Sequence, residues 1–320
     1  MEESRLGVID SLSAGLNLVA ERLWIIAIPV LLDLWYWRGP RLSIAPLFKS
    51  IEGTIAGAAT GSIPDASINI SGLIEVLDAL AQQYNLFSLL SASLLGVPSL
   101  MANGNSGTVS PIEVQSGLAV VGLAAILMLA GLAIGCVYLT LIAQGVQNQP
   151  LDPRALLNQA GALWLRVIAL GLLIFFFAVA LIVPFSFLIG LLTLVSTEVA
   201  SFLMGILYMS IIWLWIYLYF VVYAIILNRV GPIRAIWNSA NVVARNFWSA
   251  LGLVILIVVL TRGLALVWQR IGALHPIGMV IGIAGHAFIG SGLAAASLLF
   301  YKDRYNRWMQ QTAYRAMSSD

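Results

Sequence analysis

The sequence predicts an all-α integral membrane protein with six transmembrane helices, on three observations. Hydrophobic residues make up 61% of the chain and charged residues only 9%, where a soluble domain carries about 45–50% apolar and about 25% charged residues. Residues 114–151, 167–197, 199–228 and 271–301 contain no Asp, Glu, Lys or Arg, and each run exceeds the ~20 residues that cross a bilayer core as helix. Stretches such as LGLLIFFFAVALIV (170–183) do not alternate with period two, as barrel strands would. Since only helices and closed barrels satisfy their backbone groups in lipid, helices remain.

The same composition excludes several classes. A net charge of +2 supplies no basic field for nucleic acid. The single cysteine, Cys136, cannot build a disulfide scaffold. The expected architecture is a single membrane domain over 1–320.

In chain order, the first span covers 17–37 and is interrupted by Asp33. Spans 118–143, 167–192 and 201–227 fall in uncharged sequence. The fifth, 248–268, is interrupted by Arg262, and the sixth is 277–301. With an even number of spans both termini share a side. That side holds 11 Lys and Arg against 4 on the other, so the positive-inside rule places the termini in the cytoplasm. Trp24, Trp164 and Trp248 mark the cytoplasmic entrances, and Trp35, Trp37 and Trp268 the outer ends, as expected of amphipathic indoles at headgroup depth. Glu2 and Glu3 precede the first apolar run, so the first span is expected to act as an uncleaved insertion signal.

A weak internal repeat appears at the entrances to the odd-numbered spans. NLVAERLW (17–24) aligns with NVVARNFW (241–248), sharing Asn17/Asn241, Val19/Val243, Ala20/Ala244 and Trp24/Trp248. LNQAGALW (157–164) keeps Ala160 and Trp164. In front of the first span Leu6, Ile9, Leu12, Leu16, Val19 and Leu23 recur at helical spacing, and in front of the fifth Ile233, Ile236, Ala240, Val243 and Phe247 do the same. Arg234, Asn238, Asn241 and Arg245 are expected on the opposite face of that second helix. This reads as three copies of interfacial helix, inward-to-outward span and returning span. The other reading is that any cytoplasmic helix entering a membrane needs an apolar face and an interfacial Trp.

Residues 38–117 form the one large extramembrane segment, too long for a plain turn. Leu73, Leu77, Leu80, Tyr84 and Phe87 lie on one helical face, while GTIAGAATGSIPDAS (53–67) and ANGNSGTVSP (102–111) read as turn and linker. One or two amphipathic helices are expected over the outer surface, either capping a cavity in the bundle or resting in the lipid interface.

Ionisable residues inside a span are costly, about 2.5–3.5 kcal/mol for Asp or Arg at a helix centre, which singles out Asp33, Arg262 and His286. Measured from the Trp anchors, Asp33 and Arg262 both fall in the outer leaflet. They are expected either to pair between the first and fifth helices or to stand as separate interfacial charges. His286 lies on a four-residue ladder with Gly278, Gly282, Gly290 and Ala294, and small residues at that spacing let helix backbones approach. Gly131 and Gly135 make a similar step on the second span, and the expected partner of the ladder is that step or a neighbouring subunit. His286 is then either a proton relay or ligand contact, or a neutral imidazole bonded across the interface. No catalytic, metal-binding or cofactor-binding constellation stands out among the two histidines, the lone Cys136 and the scattered acids.

At AIWNSANVVARNFWSALGLVILIVVL (235–260) the chain resembles a loose group of uncharacterised bacterial polytopic membrane proteins. It is also similar to the membrane domain attached to some glycerophosphodiester phosphodiesterases. The shared form is a cytoplasmic helix with Ala-x3-Ser, then Asn or Arg, before a long apolar span, matched here by Ala235, Ser239, Arg245 and Asn246. It covers about 25 to 60 residues, and without a soluble phosphodiesterase domain in this sequence it does not carry that activity over. The expected function is that of a non-enzymatic scaffold or accessory subunit of a membrane complex. Its partners would be membrane lipids and other membrane-protein subunits or a second copy, not nucleic acid. The alternative is a transporter or lipid-handling protein with a site between the repeats under the outer loop.

Overall fold

The structure, a computed structural model, describes residues 6–61, 75, 84–91, 95–102, 111–149 and 152–318. Those residues form an all-α integral membrane protein. In order, the helices are α1 (Val8–Glu21), α2 (Ala27–Arg38), α3 (Ala45–Gly61), α4 (Gly117–Val146), α5 (Pro153–Thr193), α6 (Thr197–Leu218), α7 (Val221–Asn228), α8 (Pro232–Arg245), α9 (Phe247–Leu274) and α10 (Pro276–Met317). Short 3-10 turns, Leu23–Ile26 and Leu86–Leu90, precede α2 and lie between α3 and α4.

Five helices are long and apolar enough to cross a membrane: α4, α5, α6 continued by α7, α9 and α10. The first expected span, 17–37, is not one helix. Arg22 leaves the helical region (φ −135°, ψ 60°) and its N–H turns back to Val19 O at 3.1 Å. The charged Glu21-Arg22 pair is thereby kept out of the apolar stretch, and helix resumes at Leu23. The 16 residues from Leu23 to Arg38 fall short of a full span, and a sixth crossing exists only if the two pieces are taken as one broken span. The second correction concerns length. α5 starts at Pro153 and enters its span without a break, and α10 runs some 16 residues past the expected end of the last span. Asp152 caps α5 by accepting from Arg154 N–H (3.0 Å), with Pro153 in the first turn where no N–H is needed.

The chain divides into two compact units: residues 1–22, 139–261 and 291–320, and residues 23–138 and 262–290.

In the first unit, Phe220 stacks on Phe300 (5.6 Å between centroids) and Tyr301 (6.0 Å), with Val242, Leu253 and Leu298 buried. The break between α6 and α7 is bridged by the buried Ser239 of α8. Its hydroxyl donates to Tyr217 O (2.7 Å) and accepts from Phe220 N–H (3.2 Å). Lys302 donates to Val146 O (3.1 Å) at the end of α4, a carbonyl with no partner inside its own helix.

α1 and α8 have the same build. Both have 14 residues, follow an extended glycine (Gly7, Gly231), and end where the next N–H bonds to a valine carbonyl three residues back, Arg22 to Val19 and Asn246 to Val243, each at 3.1 Å. Their buried stripes also correspond at the offset that aligns Asn17 with Asn241: Ser11, Gly15 and Val19 against Ala235, Ser239 and Val243. The middle copy departs, since α5 has no break after Trp164.

Of the apolar stripes expected at the interface, Val19 and Val243 are buried while Ile9, Leu23 and Ile233 are exposed; Asn238, expected on the polar side, is buried. Lipid is as apolar as leucine, so large side chains gain nothing by turning inward, while small and hydrogen-bonding residues let helices approach. At Gly15 this is decisive: a Cβ there would collide with the backbone of Gly292 and Ala296 on α10.

In the second unit, β1 (Leu42–Ser43) and β2 (Ile112–Glu113) pair in parallel, with Leu42 opposite Ile112. This closes the two ends of the segment between α2 and α4. Leu42, Ile44, Leu86, Val114 and Val120 form a core around it. A second core joins Tyr36, Leu100, Met101 and Ile283, with Trp268 and Met279 packed against them. Residues 53–61, read as linker from their Gly and Ala content, continue α3. Leu73, Leu77 and Leu80 of the expected amphipathic face lie outside the described residues. Phe87 packs in the first of these cores rather than on a long helix.

Candidate functional site

Asp33 does not pair with Arg262. Its carboxylate is fully buried and is taken up by the outer segment: Leu100 N–H donates to Oδ2 (2.8 Å), Met101 N–H to Oδ1 (3.1 Å), and the Ser99 hydroxyl also donates to Oδ1. Ala102 N–H in turn donates to Ser99 Oγ (3.0 Å). A buried carboxylate is tolerated when several donors hold it, and here backbone amides serve instead of a cation. Arg262 is exposed on α9 and forms no ion pair among the described residues.

The same segment occupies the glycine ladder. A Cβ on Gly290 would strike Pro98. One on Gly282 would meet Trp268 and Leu100, and one on Gly278 the carbonyl of Ile271. Gly131 abuts Leu89 and Leu90, and Gly135 is buried. Gly290 and Gly282 therefore admit the segment 95–102, Gly278 and Gly282 admit α9, and Gly131 admits the segment 84–91. Tyr36 OH donates to Ser91 Oγ (3.2 Å), and Asn85 Oδ1 accepts from Leu42 N–H (3.0 Å) and Phe87 N–H (3.2 Å). The segments 84–91 and 95–102 are thus stitched into the second unit. His286 is 5% exposed on α10 and makes no hydrogen bond among the described residues.

A polar concavity lies in the first unit, where the end of α4, the start of α5 and the end of α7 meet. A cleft of about 220 Å³ is lined there by Gln144, Gln147, Asn158, Gln159, Arg166 and Arg229 over an apolar floor that includes Leu163 and Ile225. Among the described residues no Asp or Glu lines it. Gln144 is 3% exposed, and its Oε1 has no partner among the described residues. Arg166 and Arg229 make no ion pair or hydrogen bond among the described residues. Arg229 ends α7 in the left-handed region (φ 53°, ψ 31°), which a non-glycine residue adopts only at some cost. Arg22 Nη1 lies beside Gly145, the residue after Gln144. Sequence reading counted these arginines only as topology signals. The charge-free run that located α4 also concealed Gln144, because an amide is invisible to a count of charges.

Among the described residues no group of three or more His, Cys, Asp or Glu could hold a metal ion. Comparison with protein-family models, curated proteins and solved structures finds no match.

Proposed function

We propose that the protein is a non-enzymatic scaffold or accessory subunit of a membrane complex, seated in a bacterial inner membrane with both termini cytoplasmic, the bent pair Val8–Glu21 and Leu23–Arg38 making the sixth crossing. The observation that carries this reading is the hairpin of α5 and α6. From Gly171 through Val199 no residue is buried, and along α6 only Ala200, Leu207 and Ile216 are. The hairpin turns Phe175, Phe176, Phe187, Phe202, Trp213 and Trp215 outward. Each helix meets its neighbour along one thin stripe and leaves the rest of its circumference for lipid or for helices of another chain. Association in lipid rests on van der Waals packing of such faces. The orientation follows from the 11-to-4 imbalance of Lys and Arg.

The transport alternative loses its most attractive ionisable group, because the oxygens of Asp33 are already bonded to residues 99–101. The test is purification of the full chain in mild detergent, with a photo-crosslinking residue at Phe176 or Phe202. The expected result is a stoichiometric membrane-protein adduct at these positions and none at Ile255, an exposed position on α9. Crosslinking only to lipid at all three positions would overturn the scaffold reading.

A further inference from the structure

We propose that the cleft between the ends of α4, α5 and α7 is a phosphate-group site that holds the headgroup of a membrane phospholipid. Three features of the cleft converge on this chemistry. First, Arg166 and Arg229 line it with no acidic neighbour in the lining and neither is engaged by the protein among the described residues. A guanidinium at membrane depth is ordinarily paired, and its planar fork matches phosphate oxygens. These arginines are not occupied in capping helix ends either, since the Val146 carbonyl is taken by Lys302.

Second, Gln144 lines the cleft, is nine-tenths buried, and its Oε1 has no partner among the described residues. A buried carbonyl-type acceptor without a donor is costly, so the occupant should bring an O–H or N–H beside its phosphate. Glycerol and ethanolamine headgroups have such a donor and choline has none. Third, the expected depth fits: with Trp164 as the interfacial anchor read from the sequence, Arg166 lies two residues beyond it, ~3 Å at 1.5 Å per residue. Basic pockets between helices at that level are known hosts of phospholipid headgroups. The left-handed backbone at Arg229 fits a residue whose side chain is wanted in the cleft, since strained conformations gather at binding sites. The assignment does not rest on the scaffold reading, and the α5–α6 hairpin faces of that reading are not part of the cleft.

The experiment is native mass spectrometry of the full-length protein in mild detergent. It is offered phosphatidylglycerol, phosphatidylethanolamine or phosphatidylcholine in turn, with inorganic phosphate or glycerol phosphate as soluble arms. The unmodified protein should retain about one phosphatidylglycerol or phosphatidylethanolamine and less phosphatidylcholine. R166Q combined with R229Q should lower occupancy roughly tenfold or more, from the loss of charged hydrogen bonds. Q144L keeps both charges and places an apolar side chain in a buried position. It should fold as well as the parent and lose the preference over phosphatidylcholine. R154Q, at an exposed residue that does not line the cleft, is the control for charge alone. Binding of the soluble phosphates with no lipid retained would place the source in solution and keep the phosphate site. Equal occupancy in the parent, the arginine double variant and R154Q, or no phosphate compound bound in any arm, would overturn the proposal.

Discussion

Asp33 shows how far a single residue can be read from its neighbours in sequence. An acid in an apolar run announces a partner, and the nearest cation in the same leaflet, Arg262, was the natural candidate. The actual partners are the Ser99 hydroxyl and the amides of Leu100 and Met101, more than 60 positions away at the end of a stretch read as amphipathic helix. Backbone amides leave no trace in sequence, so this arrangement could not be read from residue types. Asp33→Ala should therefore destabilise the protein by roughly 2–3 kcal/mol, since two buried N–H groups lose their acceptor. Arg262→Ala should have little effect. In thermal unfolding of detergent-solubilised protein, Asp33→Ala and Arg262→Ala should be additive, whereas Asp33→Ala and Ser99→Ala should couple. Strong coupling to Arg262 instead would mean that the carboxylate seeks the guanidinium in solution.

Among the elements, the long spans were plain in the sequence because a charge-free run of 30 residues admits few alternatives. The break at Arg22 and the two halves α6 and α7 were not, because they are decided by packing. Ser239 supplies from another helix the hydrogen bonds that the interrupted backbone lacks. The repeat was legible at Ala20/Ala244 and Trp24/Trp248, but the matching contact stripes run through Gly15 and Ser239, which share no chemistry. One position approaches a backbone and the other mends one. Glycines on these helices accordingly divide into two kinds. Gly15→Ala should destabilise, because the new methyl meets the backbone of α10 and one helix must shift. Gly171→Ala and Gly205→Ala should stabilise by up to ~1 kcal/mol each, since nothing lies within 4 Å of the added carbon and alanine restricts the unfolded chain. Unfolding midpoints in a single detergent would show this opposition of sign. A stabilising Gly15→Ala would contradict the close approach of α1 to α10.

At the scale of the whole molecule, the arrangement in the bilayer is decided by charge rather than by packing. The connections at 146–166 and 228–247 and both termini carry 11 of the 16 Lys and Arg, and the proposed orientation rests on the tendency of such cations to stay on the cytoplasmic side. A labelling experiment separates the two possible orientations. Cys136 is fully buried, so the native thiol should add little background with an impermeant reagent. Glu113 in β2 and Glu198 at the start of α6 are exposed, as are Arg154 at the start of α5 and Arg234 on α8. With cytoplasmic termini, Glu113→Cys and Glu198→Cys should label in intact cells, while Arg154→Cys and Arg234→Cys should label only after the membrane is opened. The pair at 198 and 234 is the sharper test, because α6 and α7 make up the one crossing between them. Reagent reaching 234 but not 198 in intact cells would invert the topology, and labelling of both from outside would mean that α6 and α7 do not cross.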